Sequence, residues 1–186
     1  MKIHGIAATG LAWAMALAGG APAWADAPPA GQTPAPVTAP LLVPADFAVP
    51  TSAAGDGFQL VPLGPDVVKV DFDAYMSSIE HLQKTFSRSD RWPHPGISAE
   101  EAMQDMENEL GRFRARKSFA FSILTPDGTR ERGSLYVSPS PVPGYDAVVR
   151  LWVTRADYDA GFDAAAYAWA QGWIAASAPP PRNDEE

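Results

Sequence analysis

The sequence contains no cysteine. Without thiols the chain has no disulfide bonds, and cysteine nucleophiles, thiolate-ligated zinc and iron–sulfur clusters are excluded. A lipoprotein anchored through a lipidated cysteine is excluded for the same reason. The fold must therefore be stabilised by packing and hydrogen bonding alone.

Basic residues are also scarce, because 14 Lys and Arg face 22 Asp and Glu, which gives a formal net charge of −8. An acidic domain repels nucleic acid and anionic membrane surfaces, so we expect neither as a partner. Only three histidines occur, and no His-Glu-x-x-His spacing, P-loop, nucleophile elbow or dinucleotide fingerprint appears. We expect no metal site.

The one long apolar run lies at the N terminus, at residues 6–18 after Lys2. A basic start, a short apolar centre and a small-x-small site are typical of a cleavable secretory signal. We predict a signal peptide at 1–25, with cleavage after Ala25 or, alternatively, Ala27. The alternative is an uncleaved membrane anchor. The mature protein is expected to be exported, periplasmic or secreted, soluble and without stable membrane insertion.

Proline and alanine dominate the region that follows the predicted signal. Proline fixes φ and removes a backbone donor, so this composition favours an extended linker over a packed element. We predict a disordered linker at 26–56, one domain at 57–177 and a disordered acidic tail at 178–186. If the linker is the working part, the protein is an envelope adaptor.

The domain is predicted to be α+β from its changes of hydrophobic period. Phe119, Phe121 and Ile123 alternate with small or polar residues, as in a half-buried strand, whereas apolar residues three and four apart indicate amphipathic helices. Ser98 and Glu101 form a capping-box sequence. The predicted elements are a strand at 58–63, helices from Asp71 (as its cap) and from Ser98, strands around 119–123, 135–137 and 147–153, and a helix at 159–176.

This order of elements resembles the GNAT acyltransferase fold over most of residues 58–177. The similar segments are Ser77 to Leu82, Trp92-Pro93, Phe119 to Pro139, Tyr145 to Ala147 and Arg150 to Val153. The resemblance implies a mixed sheet with three helices in the order β-α-α-β-β-β-α. The family's C-terminal strand and helix, which carry its usual tyrosine general acid, have no counterpart in the sequence.

The resemblance also implies where a cofactor would lie. In that family the acyl-CoA pantetheine lies along the fourth strand and its pyrophosphate binds backbone N–H groups of the next loop, which assigns Val153 and Thr154 to cofactor binding if an acyl-CoA is used. Here that loop contains Asp157, Asp159 and Asp163. Each close like-charge contact would cost about 2–4 kcal/mol. We therefore expect no cofactor, with acetyl-CoA used only if the protein is an enzyme.

Two functions follow from these residues. The first is a non-catalytic domain that binds a small ligand or peptide in the cleft beside the first helix. The second is an active N-acyltransferase with His81 and Glu80 as catalytic residues. The alternative for His81 is a half-exposed histidine on the helix surface that is bonded to a neighbour, as most such histidines are. The residues predicted to bind the ligand are Ser78, Trp92, Tyr136, Tyr145 and Trp152.

Overall fold

The computed structural model describes residues 3–5 and 41–179. Most of the predicted signal peptide, residues 26–40 of the predicted linker and residues 180–186 of the tail lie outside this part of the chain. Within the described ranges no helix is both long and apolar enough to cross a bilayer.

The described chain forms six strands and five helices. A 3-10 turn at Pro65–Val67 precedes the first helix, and a π-helical turn at Gln83–Ser87 follows the second. The strands are β1 (Ile3–Gly5), β2 (Ala53–Gly55), β3 (Phe58–Pro62), β4 (Phe119–Leu124), β5 (Glu131–Pro139) and β6 (Ala147–Val153). The helices are α1 (Val68–Met76), α2 (Ile79–Leu82), α3 (Ala99–Arg114), α4 (Arg155–Asp159) and α5 (Phe162–Ser177).

The strands build one sheet in the order β1-β6-β5-β4-β3-β2. Neighbours from β2 to β6 pair antiparallel, and β1 pairs parallel with the start of β6. The mixed α+β fold predicted from the sequence is confirmed, with β2 and β1 as additional edge strands.

One face of the sheet packs against α5. The alternating residues Phe119, Phe121 and Ile123 of β4 all lie on this face and are at most 5% exposed. Ala166, Ala170 and Ile174 recur at helical spacing on the covering side of α5 and belong to the same core. The alternating apolar residues of β4 and the apolar stripe of α5 therefore pack against each other in one core.

The opposite face of the sheet is covered by α1, α2 and α3. The predicted helix beginning at Asp71 instead begins at Val68 and breaks at Ser77–Ser78. The Ser77 hydroxyl donates to the carbonyl of Ala74, an alternative to continued helical bonding that serine offers readily. Asp71 therefore lies inside α1, buried, and does not cap it.

The start of α3 follows its sequence signal. Ser98 accepts a hydrogen bond from the Glu101 backbone N–H, and the Glu101 carboxylate accepts one from Ser98 N–H. This is the predicted capping box, and it is confirmed.

The packed domain begins before residue 57, the predicted boundary. Leu42 and Val43 are buried in the core that faces α5, and the Leu42 N–H donates to the Arg116 carbonyl. The Arg116 guanidinium donates in turn to the carbonyls of Pro44 and Phe47. The prolines of this segment led to the prediction of an extended linker. Prolines do not prevent the apolar residues between them from packing, so that prediction was wrong for this part of the chain.

The predicted last helix, at 159–176, corresponds to α5, and a short helix that was not predicted, α4, precedes it. Thr154 caps α4, which ends at Asp159, and α5 begins after Gly161. Gly161 has a φ of 77°, a left-handed conformation that glycine adopts without strain. The chain therefore turns between the two helices directly beyond the end of β6.

Candidate functional site

The end of β6 and the start of α4 form the junction at which the resemblance places an acyl-CoA. The Thr154 hydroxyl accepts a hydrogen bond from the Asp157 backbone N–H at 3.2 Å. The backbone N–H of Arg155 donates to the Ser78 hydroxyl at 2.9 Å. The first and third N–H groups of α4, which could face an anion, are therefore bonded within the chain.

His81 covers the same junction from α2. Its ring lies 4.8 Å from the Tyr158 ring, and it hydrogen-bonds the backbone of Val153. His81 is only 9% exposed, so it is buried and not the half-exposed surface residue considered as an alternative. Burial lowers the pKa of His81, and the nearby Arg155 cation lowers it further. The imidazole is thus neutral at pH 7.

Glu80, the other predicted catalytic residue, lies at the surface. Its carboxylate accepts a hydrogen bond from Lys84 at 2.6 Å, one helical turn away, and its side chain is 83% exposed. The hydrogen bond from Lys84 lowers the pKa of Glu80. The carboxylate is therefore directed toward Lys84 and water while His81 is buried at the junction.

Asp157 is the best-compensated carboxylate of the junction. It accepts hydrogen bonds from Arg130 at 2.6 Å, from Arg132 at 2.8 Å and from the Thr154 hydroxyl at 2.7 Å. Burial alone would raise the pKa of Asp157, but these hydrogen bonds outweigh burial and hold the pKa below its usual value.

Charge repulsion between the three aspartates and a diphosphate was the expected obstacle to cofactor binding, and the structure changes this expectation. Asp159 pairs with Arg155 at 2.8 Å, and Asp157 pairs with two arginines. Arg130 and Arg132 lie on the hairpin, so their proximity could not be read from the loop sequence. The junction is closed by its internal hydrogen bonds, while its negative charge is largely balanced.

The predicted ligand-binding residues are divided between three places. Trp92, Trp152 and Tyr136 lie in one aromatic cluster with Phe86, in which the Trp92 and Trp152 rings are 6.1 Å apart. The Trp152 indole donates to the Tyr136 hydroxyl at 3.4 Å. Ser78 lies instead at the junction.

Tyr145 belongs to the loop between β5 and β6 and is 42% exposed. The space beside α1 that these residues were expected to line is therefore filled by their own side chains.

An open cleft lies on the other side of Tyr136, between the end of α3 and strands β4 and β5. Its volume is about 320 Å³, at the lower end of the size range of small-molecule sites. Its lining includes the Lys117 ammonium and the ion pair of Arg112 with Glu109. The other lining residues are Ser118, Phe119, Ala120, Tyr136, Ser138 and Pro139.

Apart from Tyr136, the residues that line this cleft were not among those predicted to bind a ligand. The run of cations from Arg112 to Lys117 was visible in the sequence. It is equally explained by the favourable position of cations at a helix C terminus, so it did not point to a site. Within the described ranges, no group of three His, Asp or Glu side chains could hold a metal ion.

Similarity to known proteins lies in the fold. The sequence matches no protein-family model, and no curated protein shows significant similarity to it. The structure is similar to a protein described as a GNAT-family acetyltransferase from Bordetella pertussis, with a TM-score of 0.50 and 17% identity. That match covers 69% of this chain and 74% of the other.

A ribosomal-protein-S5-alanine acetyltransferase from Vibrio fischeri is similar with a TM-score of 0.50 and 15% identity, over 66% of each chain. The domain thus has a GNAT-like fold, as predicted from the sequence.

Two of the backbone N–H groups at which the resemblance places a pyrophosphate already have partners within the chain. The Arg155 N–H donates to the Ser78 hydroxyl, and the Asp157 N–H donates to the Thr154 hydroxyl. The His81 ring covers the end of β6 at Val153. A pyrophosphate would have to displace these partners before it could bind.

Proposed function

We propose that this protein is an exported GNAT-like domain that binds a small ligand and does not transfer acyl groups. The observation that carries the proposal is the junction between β6 and α4, where Ser78, His81 and Thr154 occupy the backbone groups that the resemblance assigns to an acyl-CoA. A cofactor must then offset the loss of these bonds, each worth about 1 kcal/mol, in addition to its own desolvation.

The cleft beside α3 is the proposed ligand site. Lys117 favours a carboxylate, whereas the charge of Arg112 is already balanced by Glu109, which also lines the cleft. The hydroxyls of Ser118 and Ser138 offer hydrogen bonds of either polarity. Phe119 and Tyr136 supply apolar surface. The ligand class that these groups match is a small molecule or short peptide with one carboxylate and an apolar portion.

Titration calorimetry with acetyl-CoA and with free coenzyme A tests the closed junction. We expect no binding heat at millimolar ligand, while a GNAT acetyltransferase titrated in the same buffer gives a saturable signal. Micromolar one-to-one binding of either compound would overturn this part of the proposal.

The cleft is tested separately by NMR screening of short N-acetylated peptides that have free C-terminal carboxylates. We expect peptide signals to shift on the protein and these shifts to be lost in the Arg112→Ala/Lys117→Ala double variant. Arg114→Ala is the matched control, because Arg114 is an exposed cation of the same helix that does not line the cleft. Equal effects of the double variant and the control would remove the cleft from the proposal.

His81 favours a second candidate, an active N-acyltransferase. A neutral imidazole at the end of β6 has the protonation state of a general base. If this candidate is correct, His81→Ala abolishes transfer from a panel of acyl-CoA donors to amines, and Glu80→Gln tests the surface carboxylate in parallel. Activity unchanged in both variants would exclude these two residues as catalytic groups.

Export is proposed from the N-terminal sequence pattern. Mass spectrometry of protein recovered outside the cytoplasm should give a mature chain beginning at Asp26 or Pro28. Such cleavage would also remove β1 and leave Ala147–Val149 as an outer edge of the sheet. An intact N terminus in all cell fractions would contradict export through a cleaved signal.

A further inference from the structure

Two carboxyl groups lie together between α1 and the sheet. Asp71 of α1 is 3% exposed and Glu131 of β5 is 1% exposed. The two side chains are within hydrogen-bonding range of each other, and Asp71 also reaches Ser134. We refer to Asp71 and Glu131 as the carboxyl pair.

Two serines hold Glu131 in place. The Ser122 hydroxyl lies 2.6 Å from Glu131 Oε2, and the Ser134 hydroxyl lies 2.7 Å from Oε1. Ser122 and Ser134 are directly opposite each other on β4 and β5, and both are fully buried. The pocket for the Glu131 carboxyl is thus built by two neighbouring strands.

An irregularity in the ladder brings Glu131 to this face. The register of β4 and β5 shifts between Ile123 and Leu124, so that Leu124 pairs with Glu131. Gly133, inside this shift, has a φ of 158°, and a Cβ there would lie 1.9 Å from the Trp152 carbonyl oxygen. Only glycine permits this close approach of β6, two residues after Glu131.

The surroundings of the carboxyl pair contain acids and phenols. Asp105 and Glu109 face it from α3, Tyr75 from α1 and Tyr136 from β5. Within residues 3–5 and 41–179, neither member of the pair forms an ion pair. Two buried carboxylates in contact without a cation are strongly unfavourable, whereas a carboxyl and a carboxylate can share a hydrogen bond.

We propose that Asp71 and Glu131 share a proton in the native state and form a pH-sensitive contact that holds α1 on the sheet. The contact is strong when the pair is protonated. When the pair becomes doubly charged, repulsion between the carboxylates loosens α1. This inference does not depend on the proposed ligand or on export.

The pH range in which the carboxyl pair stabilises the protein follows from the direction in which the two pKa values are shifted. Burial raises the pKa of Asp71 from 3.8 to about 7, and burial together with Asp71 raises that of Glu131 well above its usual value. The native state therefore binds more protons than the unfolded chain. Stability from the pair is complete below about pH 4 and is lost as the pH rises through 7.

Urea unfolding of the full chain from pH 4.5 to 8.5 tests the proposal, with Asp71→Asn as the variant. Asparagine keeps the shape and can donate to Glu131 without carrying charge. We expect the folding equilibrium constant of Asp71→Asn, divided by that of the wild type, to rise with pH by up to about tenfold per pH unit between 5 and 7. Asp73→Asn, an exposed position on the same helix, is the control and should give a constant ratio.

A direct measurement covers the case in which Asp71→Asn does not fold. Infrared spectra of the wild-type protein with isotope-labelled Asp and Glu should contain a protonated carboxyl C=O band at pH 6 that disappears in alkaline solution. A pH-independent ratio for Asp71→Asn, or the absence of that band in the folded wild type, would overturn the proposal.

Discussion

Two buried acidic sites on this domain are stabilised in opposite ways. Asp157 lies at the junction of β6 and α4 with Arg130 and Arg132 against its carboxylate. The carboxyl pair, Asp71 and Glu131, lies under α1 with only hydroxyl donors and acids around it. Both sites are almost completely buried, so the difference between them lies in the chemistry of their partners.

The comparison shows that burial alone does not fix the response to pH. Two arginines keep Asp157 ionised, so its contribution to stability is present above the pKa of an unfolded aspartate and is lost in acid. The carboxyl pair contributes most in acid and loses stability as the pH rises. A shared proton and a paired cation both offset the cost of burying a carboxyl group. The stability that they contribute changes with pH in opposite directions.

Of the substitutions considered, removal of Asp157 should lower the free energy of unfolding most. Asp157→Ala leaves Arg132 partly buried without its carboxylate and removes the contact with the cap residue Thr154. We expect the free energy of unfolding at pH 7 to fall by about 3 kcal/mol, as for a broken buried ion pair. The loss relative to the wild type should shrink as the pH falls through the lowered pKa of the native aspartate, because protonation removes the ion pair. A loss that grows in acid would contradict the ion-pair account.

The two arginines should differ in their contributions. Arg132 is 17% exposed at its side chain, donates to the Gly57 carbonyl and lies 3.4 Å from the centre of the Phe162 ring, whereas the Arg130 side chain is 52% exposed. Arg132→Ala should cost about 2 kcal/mol and Arg130→Ala no more than about 1 kcal/mol at pH 7. Chemical denaturation of both variants measures the order, and equal losses would show that burial does not separate the two arginines.

The sequence predicts the strands and helices on which both sites lie, but it does not predict which residues form the sites. Alternation in β4 and the capping box of α3 depend on residues close together in the chain, and the structure confirms both. Asp71 was interpreted as a helix cap because an aspartate before an apolar stripe usually is one. Its actual partner, Glu131, lies 60 positions away, across a ladder irregularity that has no local signature.

The same limit applies at the junction. The aspartates of the loop after β6 were visible, and their repulsion was predicted from spacing alone. Arg130 and Arg132 lie about 25 positions earlier and reach Asp157 only because β5 pairs with β6. Identification of such partners requires the strand register, which the pattern of apolar residues constrains but does not display.

Loss of a serine that donates to the carboxyl pair should give an intermediate, pH-dependent loss of stability. Ser122→Ala removes the donor to Glu131 Oε2. We expect a loss of about 1 kcal/mol at pH 5, where the pair is protonated, and about 2 kcal/mol at pH 8, because bonds to charged groups are stronger. Ser138→Ala, further along β5 and half-buried, is the control and should show no such trend in denaturation experiments. A loss for Ser122→Ala that is equal at both pH values would argue that Glu131 does not gain charge in this range.

The smallest effect is expected at the exposed pair on α1. Lys69 donates to Asp73 at 2.6 Å, but their side chains are 84% and 60% exposed, so water screens both charges. Lys69→Ala should change the free energy of unfolding by less than about 0.5 kcal/mol at pH 7, with little dependence on pH. Asp71 lies on the same helix, two residues before Asp73. A difference between the effects of Lys69→Ala and Asp71→Asn therefore reflects burial and not position on the helix. If Lys69→Ala produced a pH dependence like that of Asp71→Asn, surface charge on α1, and not the carboxyl pair, would be the source of both.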